Sequence, residues 1–284
     1  MSAATGYELG RPIKGPSALG NDARRFAHLT WTLAVTDFKL RFFGSVLGYL
    51  WSVFRPLLLF GVIYAVYSIV VGKSVVPYFP SAMLFGVVLF TFFSEATKTS
   101  VNSLVAREPL VRKIEFPRAA VPLSVVLTAS FNLLLNLVPV LVFLLAAGAG
   151  VRWSWLEVPV LLGGLALFAC GVAMLVSALF VRYRDMDPIW DVVLQVMFYL
   201  SPIFYPIELV IAKTHDWVAN VMLLNPFAAV IQQGRRALFG PSYDSVWTVM
   251  GGPLALVPLG IAVFLVVYGT WYFNRQAPRI AEEL

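Results

Sequence analysis

Six stretches of this chain carry almost no charge, and each has the length of a bilayer-crossing helix. They cover residues 49–71, 81–103, 119–147, 158–181, 188–205 and 249–273. A hydrocarbon core of about 30 Å takes roughly 20 mainly apolar helical residues to cross. Lipid cannot satisfy unpaired backbone N–H and C=O groups, so such runs fold as helices or closed barrels. The alternating pattern of a barrel strand is missing here. The expected fold is therefore an all-α integral membrane protein with six transmembrane helices. Composition agrees, since only 13% of the 284 residues are charged, against roughly 25% in a soluble domain.

Basic residues bunch between the spans, and this sets the orientation. Of the 21 Lys and Arg, fifteen fall on the side shared by both termini and the loops 104–118 and 182–187. Five fall on the other side, and Lys98 lies within a span. Positive charge accumulates in the cytoplasm, so both termini are expected there. The net charge of +6 has the same origin and does not point to nucleic acid.

Ahead of the first span, Arg25, His28, Thr32, Thr36 and Lys39 fall in one helical stripe, while Trp31, Ala34, Val35, Phe38 and Phe42 take another face. A basic amphipathic helix with aromatic anchors lies in the membrane interface. Gly44, Gly48 and Arg55-Pro56 then allow a turn into the bilayer. The organisation expected is a disordered cytoplasmic leader (1–23), an interfacial helix (24–46), a transmembrane domain (47–273) and a cytoplasmic tail (274–284). Between the fifth and sixth spans, Pro226, Arg235 and Arg236 argue against another full crossing. Short re-entrant helices on the external side fit better.

Catalytic chemistry has little to stand on. Gly72-Lys73-Ser74 lacks the earlier glycine of a phosphate-binding loop, position 67 being Tyr67. His28 and His215 lie on opposite sides of the membrane and cannot share a metal. Cys170 is the single cysteine, so neither an intrachain disulfide nor a Cys cluster is possible. Asp185 and Asp187 form the one close acidic pair expected near a membrane face, and they suit a helix cap before Pro188. Glu95 and Lys98, three residues apart, read as a local ion pair at the edge of the second span. Asn132 and Asn136 share a face of the third span and suit interhelical packing. Trp153, Trp155, Trp190, Trp247 and Trp271 sit where interfacial belts form. Among the aromatics, Phe85, Phe92, Tyr199 and Phe204 are candidates to line a passage, because sugars stack on such rings. The loop residues Arg107, Glu108, Leu110, Val111, Arg112, Lys113 and Glu115 mix charge with apolar residues between prolines. That pattern describes a short element that docks into a partner's groove.

Three stretches carry a family resemblance: FKLRFFGSVLGYLWSVFRP at 38–56, the loop 107–122, and SPIFYP at 201–206 followed by Asn225-Pro226. In order and spacing they resemble the permease subunit of ABC-2-type exporters of O-antigen, teichoic acid and related cell-envelope glycans. The resemblance implies a half-transporter in the bacterial cytoplasmic membrane, working as a homodimer with two copies of a separate ABC nucleotide-binding subunit. ATP and Mg²⁺ would be bound by that partner, and no cofactor by this chain. It implies that the interfacial helix and the 107–118 loop contact the ATPase. It also implies an outer gate that takes in Pro202, Tyr205, Pro206, Asn225 and Pro226. The cargo would be a polyprenyl-linked polysaccharide, such as an O-antigen, a galactan or a teichoic acid, whose anionic head first meets Arg25, Lys39 or Arg41. An ABC-2 exporter of a drug or other lipid, and a membrane-embedded glycosyl or lipid transferase, are the alternatives.

Overall fold

The computed structural model describes residues 23–42, 48–70, 72, 76–112 and 116–283. The expected leader therefore lies outside the described residues, except for Ala23 at the start of the first helix. Among the described residues the chain forms thirteen α-helices and no strand. α1 (Ala23–Phe42), α2 (Gly48–Val70) and α3 (Phe79–Val101) come first. Two one-turn helices, α4 (Ser103–Ala106) and α5 (Glu108–Val111), lead into α6 (Ala120–Ala146). α7 (Glu157–Arg182) and α8 (Met186–Leu200) follow. The short helices α9 (Ile207–Lys213), α10 (Asp216–Leu223), α11 (Pro226–Phe239) and α12 (Val246–Met250) precede α13 (Val257–Glu283).

Five helical segments are long and apolar enough to cross a membrane, built on α2, α3, α6, α7 and α13. The expected fifth span differs. Its helix, α8, has 15 residues, about 22 Å at 1.5 Å per residue, and stops at Leu200. Proline disfavours the helical region for the preceding residue, and Ser201, before Pro202, is extended at φ −82°, ψ 146°. The ends of α8 are nonetheless placed along α3. Lys98 pairs with Asp187 near the start of α8, and beyond its end Ile203 lies against Gly86.

α3 is the axis of the bundle: 72% of its most apolar window is buried, against 17% for α2 and for α13. α2 turns Leu58, Val62, Val66 and Ile69 outward, as a lipid-facing helix does. α7 and α13 cross where the backbone of Gly171 meets that of Gly269. Both belong to the small-residue class that lets membrane helices touch. At one end of the bundle the basic residues gather, and there Arg118 donates to the Ala277 carbonyl. α13 runs on past the expected end of its span to Glu283, since Phe273, Ala277 and Ile280 are buried against Leu104, Val111 and Val121. At the opposite, far end, Ser154 and Trp155 donate to the Ala237 and Leu238 carbonyls at the close of α11.

Candidate functional site

A cleft of about 910 Å³ opens at the basic end between α2, α3 and α6. Its floor follows from helical spacing. Thr91, Ser94, Glu95 and Lys98 recur at i, i+3, i+4 and i+7 and so share one face of α3. Asn132 and Asn136, one turn apart on α6, and Trp51 and Arg55, one turn apart on α2, supply the walls. Arg41 reaches in from α1.

Glu95 and Lys98 do not pair with each other, contrary to the sequence expectation. Each finds a partner on another helix. Glu95 accepts from Arg41 of α1 and, at 2.8 Å, from Asn132 Nδ2. Lys98 Nζ lies 2.9 Å from Asp187 and 2.6 Å from Asp191. These two carboxylates stand four apart on α8 and form a fork around it. Asp187 is thus an ion-pair partner, and Asp185 makes no side-chain cap. Trp190 donates to Thr97 Oγ1 at 3.0 Å across the same seam. Asn132 is a buried packing residue as expected, and it doubles as a cleft residue. Its Oδ1 has no donor, an unmet acceptor that water or a ligand hydroxyl can satisfy. Arg55 has no ion-pair or hydrogen-bond partner among the described residues. The cleft therefore presents one open guanidinium beside two cations already neutralised.

α1 lies across α6. Trp31 and Phe38 both meet Phe131 edge-on, at 5.5 and 5.6 Å between ring centroids. Ala34 is fully buried, and its carbonyl accepts from Thr128 Oγ1 at 3.2 Å. Asp37 pairs with Arg107, which also donates to Ser124 Oγ at 3.1 Å. Arg25 and Lys39 are exposed on α1 and do not line the cleft, so of the expected entry cations Arg41 alone reaches it. In the loop, Val111 is buried and Arg107 is held inward. Glu108, Leu110 and Arg112 keep outward character, with Glu108 and Arg112 joined at 2.9 Å across one turn. Lys113 and Glu115 lie outside the described residues.

At the far end, the 201–206 stretch and Asn225 meet through Ser201. Asn225 caps α11, its Oδ1 accepting from Phe227 N at 3.0 Å, and its Nδ2 donates to Ser201 Oγ at 3.3 Å. Pro226 opens that helix at its first position, where a missing N–H costs nothing. Tyr205 donates its hydroxyl to the Tyr199 and Leu200 carbonyls, closing the open end of α8. Pro202 and Pro206 are buried. Of the four aromatics, Phe85 and Phe92 are buried in the packed interior. Tyr199 is exposed, and its ring meets Phe204 at 6.1 Å.

The residue that organises this region is Arg235, which in sequence reads only as an external charge. It is completely buried and donates to the Ala82, Ile203 and Tyr205 carbonyls at 3.3, 2.8 and 3.3 Å. Burial holds its pKa below the usual arginine value. The signal was its register, because Ile231, Arg235 and Leu238 share the buried face of α11.

Comparison with known proteins agrees with this architecture. The ABC-2 type transporter family model matches residues 28–239, from α1 to the end of α11. An O-antigen export system permease protein RfbA of Klebsiella pneumoniae is 30% identical over 253 residues, 87% of this chain and 92% of its own length. A protein of the same description from Myxococcus xanthus is 28% identical over 73% of this chain and 78% of its own. A polysialic acid transport protein KpsM of Escherichia coli is 23% identical over 75% and 81%. The matched span takes in most of α1, the charged cleft and the far-end helices alike: this chain belongs to the ABC-2 type transporter family.

Proposed function

We propose that this chain is the transmembrane subunit of an ATP-driven exporter carrying a polyprenyl-linked cell-envelope polysaccharide across the bacterial cytoplasmic membrane. Two copies would form the passage and two copies of a separate ABC ATPase would drive it, binding the ATP and Mg²⁺. Membership of the family supports the ATPase partner, and the relatives' descriptions support the glycan class. In this reading α8 and residues 201–206 together make the sixth crossing. The basic end is then cytoplasmic, with both termini on that side.

The observation that carries the cargo assignment is the cleft. A polyprenyl-linked glycan brings an anionic phosphate, an apolar tail and sugar hydroxyls to the same place. Arg55 and Arg41 suit the phosphate, since guanidinium groups match its geometry with paired donors. The outward apolar face of α2 leaves the tail in lipid, and Trp51, Asn132 and Asn136 offer stacking and hydrogen bonds to sugar. ATPase closure would bear on α1 and the 107–112 loop and shift the balance between two arrangements of the spans.

In cells lacking their own permease and complemented with this chain, Arg55→Glu should cut surface polysaccharide about tenfold or more, equivalent to at least about 1.4 kcal/mol of lost recognition. Lipid-linked glycan should accumulate inside at unchanged permease levels. Lys213→Glu, exposed on α9 and remote from the cleft, should export normally. Undiminished export by the Arg55 variant would reject the cargo assignment.

A further inference from the structure

Two charged side chains one helical turn apart tie α1 to the rest of the chain. Asp37 holds Arg107, at the start of the loop helix α5. Arg41 holds Glu95, inside the cleft. The second pair is open to solute: Arg41 is 39% exposed and Glu95 22%. The Glu95 carboxylate occupies guanidinium donors of the kind a phosphate oxygen takes, with similar charge and geometry. An anion entering the cleft meets Arg55, without a partner among the described residues, and Arg41 already engaged. It also meets Glu95, whose like charge opposes it in a setting of reduced dielectric. Both anions cannot hold Arg41 together at low cost.

We infer that Glu95 is an internal competitor for the anionic headgroup. Its pair with Arg41 clasps α1 to α3 while the cleft is empty, and a phosphate headgroup opens the clasp by taking Arg41. Release leaves α1 held by Asp37 and its aromatic contacts, so the helix is freed next to the residue that anchors the loop. Occupancy of the cleft thereby reaches the surface expected to bear the ATPase. The ligand named here rests on the cargo reading above, whereas the clasp is a property of the chain itself.

The test uses the assembled permease–ATPase complex in phosphatidylcholine nanodiscs, with and without added undecaprenyl diphosphate. Spin labels at Leu40→Cys and Thr99→Cys, in a Cys170→Ser background, report the α1–α3 distance. Wild type should hydrolyse ATP slowly without the lipid and speed up with it, as the α1–α3 distance broadens. Glu95→Gln keeps a side-chain oxygen for Asn132 and removes the charge. It should raise lipid-free hydrolysis about fivefold, broaden the distance unaided and respond little to the lipid. The charge exchange Arg41→Glu with Glu95→Arg should restore slow hydrolysis, and it decides the matter if the single variant does not assemble.

Glu95→Gln with wild-type rates and distances, or an exchange that leaves hydrolysis fast, overturns the clasp. If Glu95→Gln shifts both readouts while wild type ignores undecaprenyl diphosphate, the clasp stands and the cargo reading falls. If wild type responds and Glu95→Gln behaves as wild type, the cargo reading stands and the clasp falls.

Discussion

Arg235→Met should destabilise the far end by about 3 kcal/mol or more, since each buried carbonyl left without a donor costs about 1–3 kcal/mol, and it should abolish export. Methionine fills much of the same volume, so the loss isolates the guanidinium. Three main-chain carbonyls depend on it. That of Ala82 sits inside α3. Those of Ile203 and Tyr205 belong to irregular backbone between α8 and α9, where no helix supplies an N–H. Backbone of that kind persists at membrane depth only if protein satisfies it. Arg235→Lys keeps the charge but not the fork that reaches three acceptors, and it should fall between wild type and methionine. Thermal unfolding in detergent measures the loss. Limited proteolysis should show new cleavage within 201–245, while the bundle from α2 to α7 resists. Wild-type melting and protection in Arg235→Met would show that the carbonyls find other donors.

The second large effect is expected at the crossing of α7 and α13. A Cβ at Gly269 would lie 2.1 Å from the Gly171 carbonyl oxygen, and one at Gly171 would lie 2.5 Å from Val266 Cα. Both obstacles are backbone and cannot rotate aside. Gly269→Val must therefore push the helices apart along their main contact, where overpacking costs about 1–3 kcal/mol and lost contacts along the seam add to it. Reduced melting temperature and loss of assembled protein from the membrane are the expected readouts. Gly163→Ala and Gly164→Ala are the controls, since nothing lies within 4 Å of a Cβ at either. Equal behaviour of all three variants would show that α7 and α13 are not in close contact.

The apolar runs located five of the crossing helices because length and hydropathy are local properties. The run at 188–205 is largely apolar despite Asp191, but its helix stops at Leu200, ahead of Pro202. That proline was visible in the sequence, and its steric effect on Ser201 was the neglected factor. The continuation of α13 to Glu283 was less legible, since it depends on burial against Leu104, Val111 and Val121 from elsewhere in the chain. The cleft was hidden for the same reason. Arg41 and Glu95 are 54 residues apart, and Arg107 and Asp37 are 70. Neighbouring charges such as Glu95 and Lys98 suggest each other, and only the packed helices reveal that each prefers a third party. Asn225-Pro226 fared better, because capping acts over two residues and can be read directly.

The different glue along the two seams has a consequence for how the molecule loosens. α1 is fastened partly by half-exposed ion pairs, whereas α7 and α13 meet through main-chain contact that carries no charge. At about 1 M electrolyte the screening length shrinks to about 3 Å. Ionic strength therefore acts selectively, weakening the attachment of the first helix and sparing the crossing of the last. The grip of α1 is thus one that a change of buffer can tune, and so is the Lys98 seam to α8, while the crossing of the last helices is not.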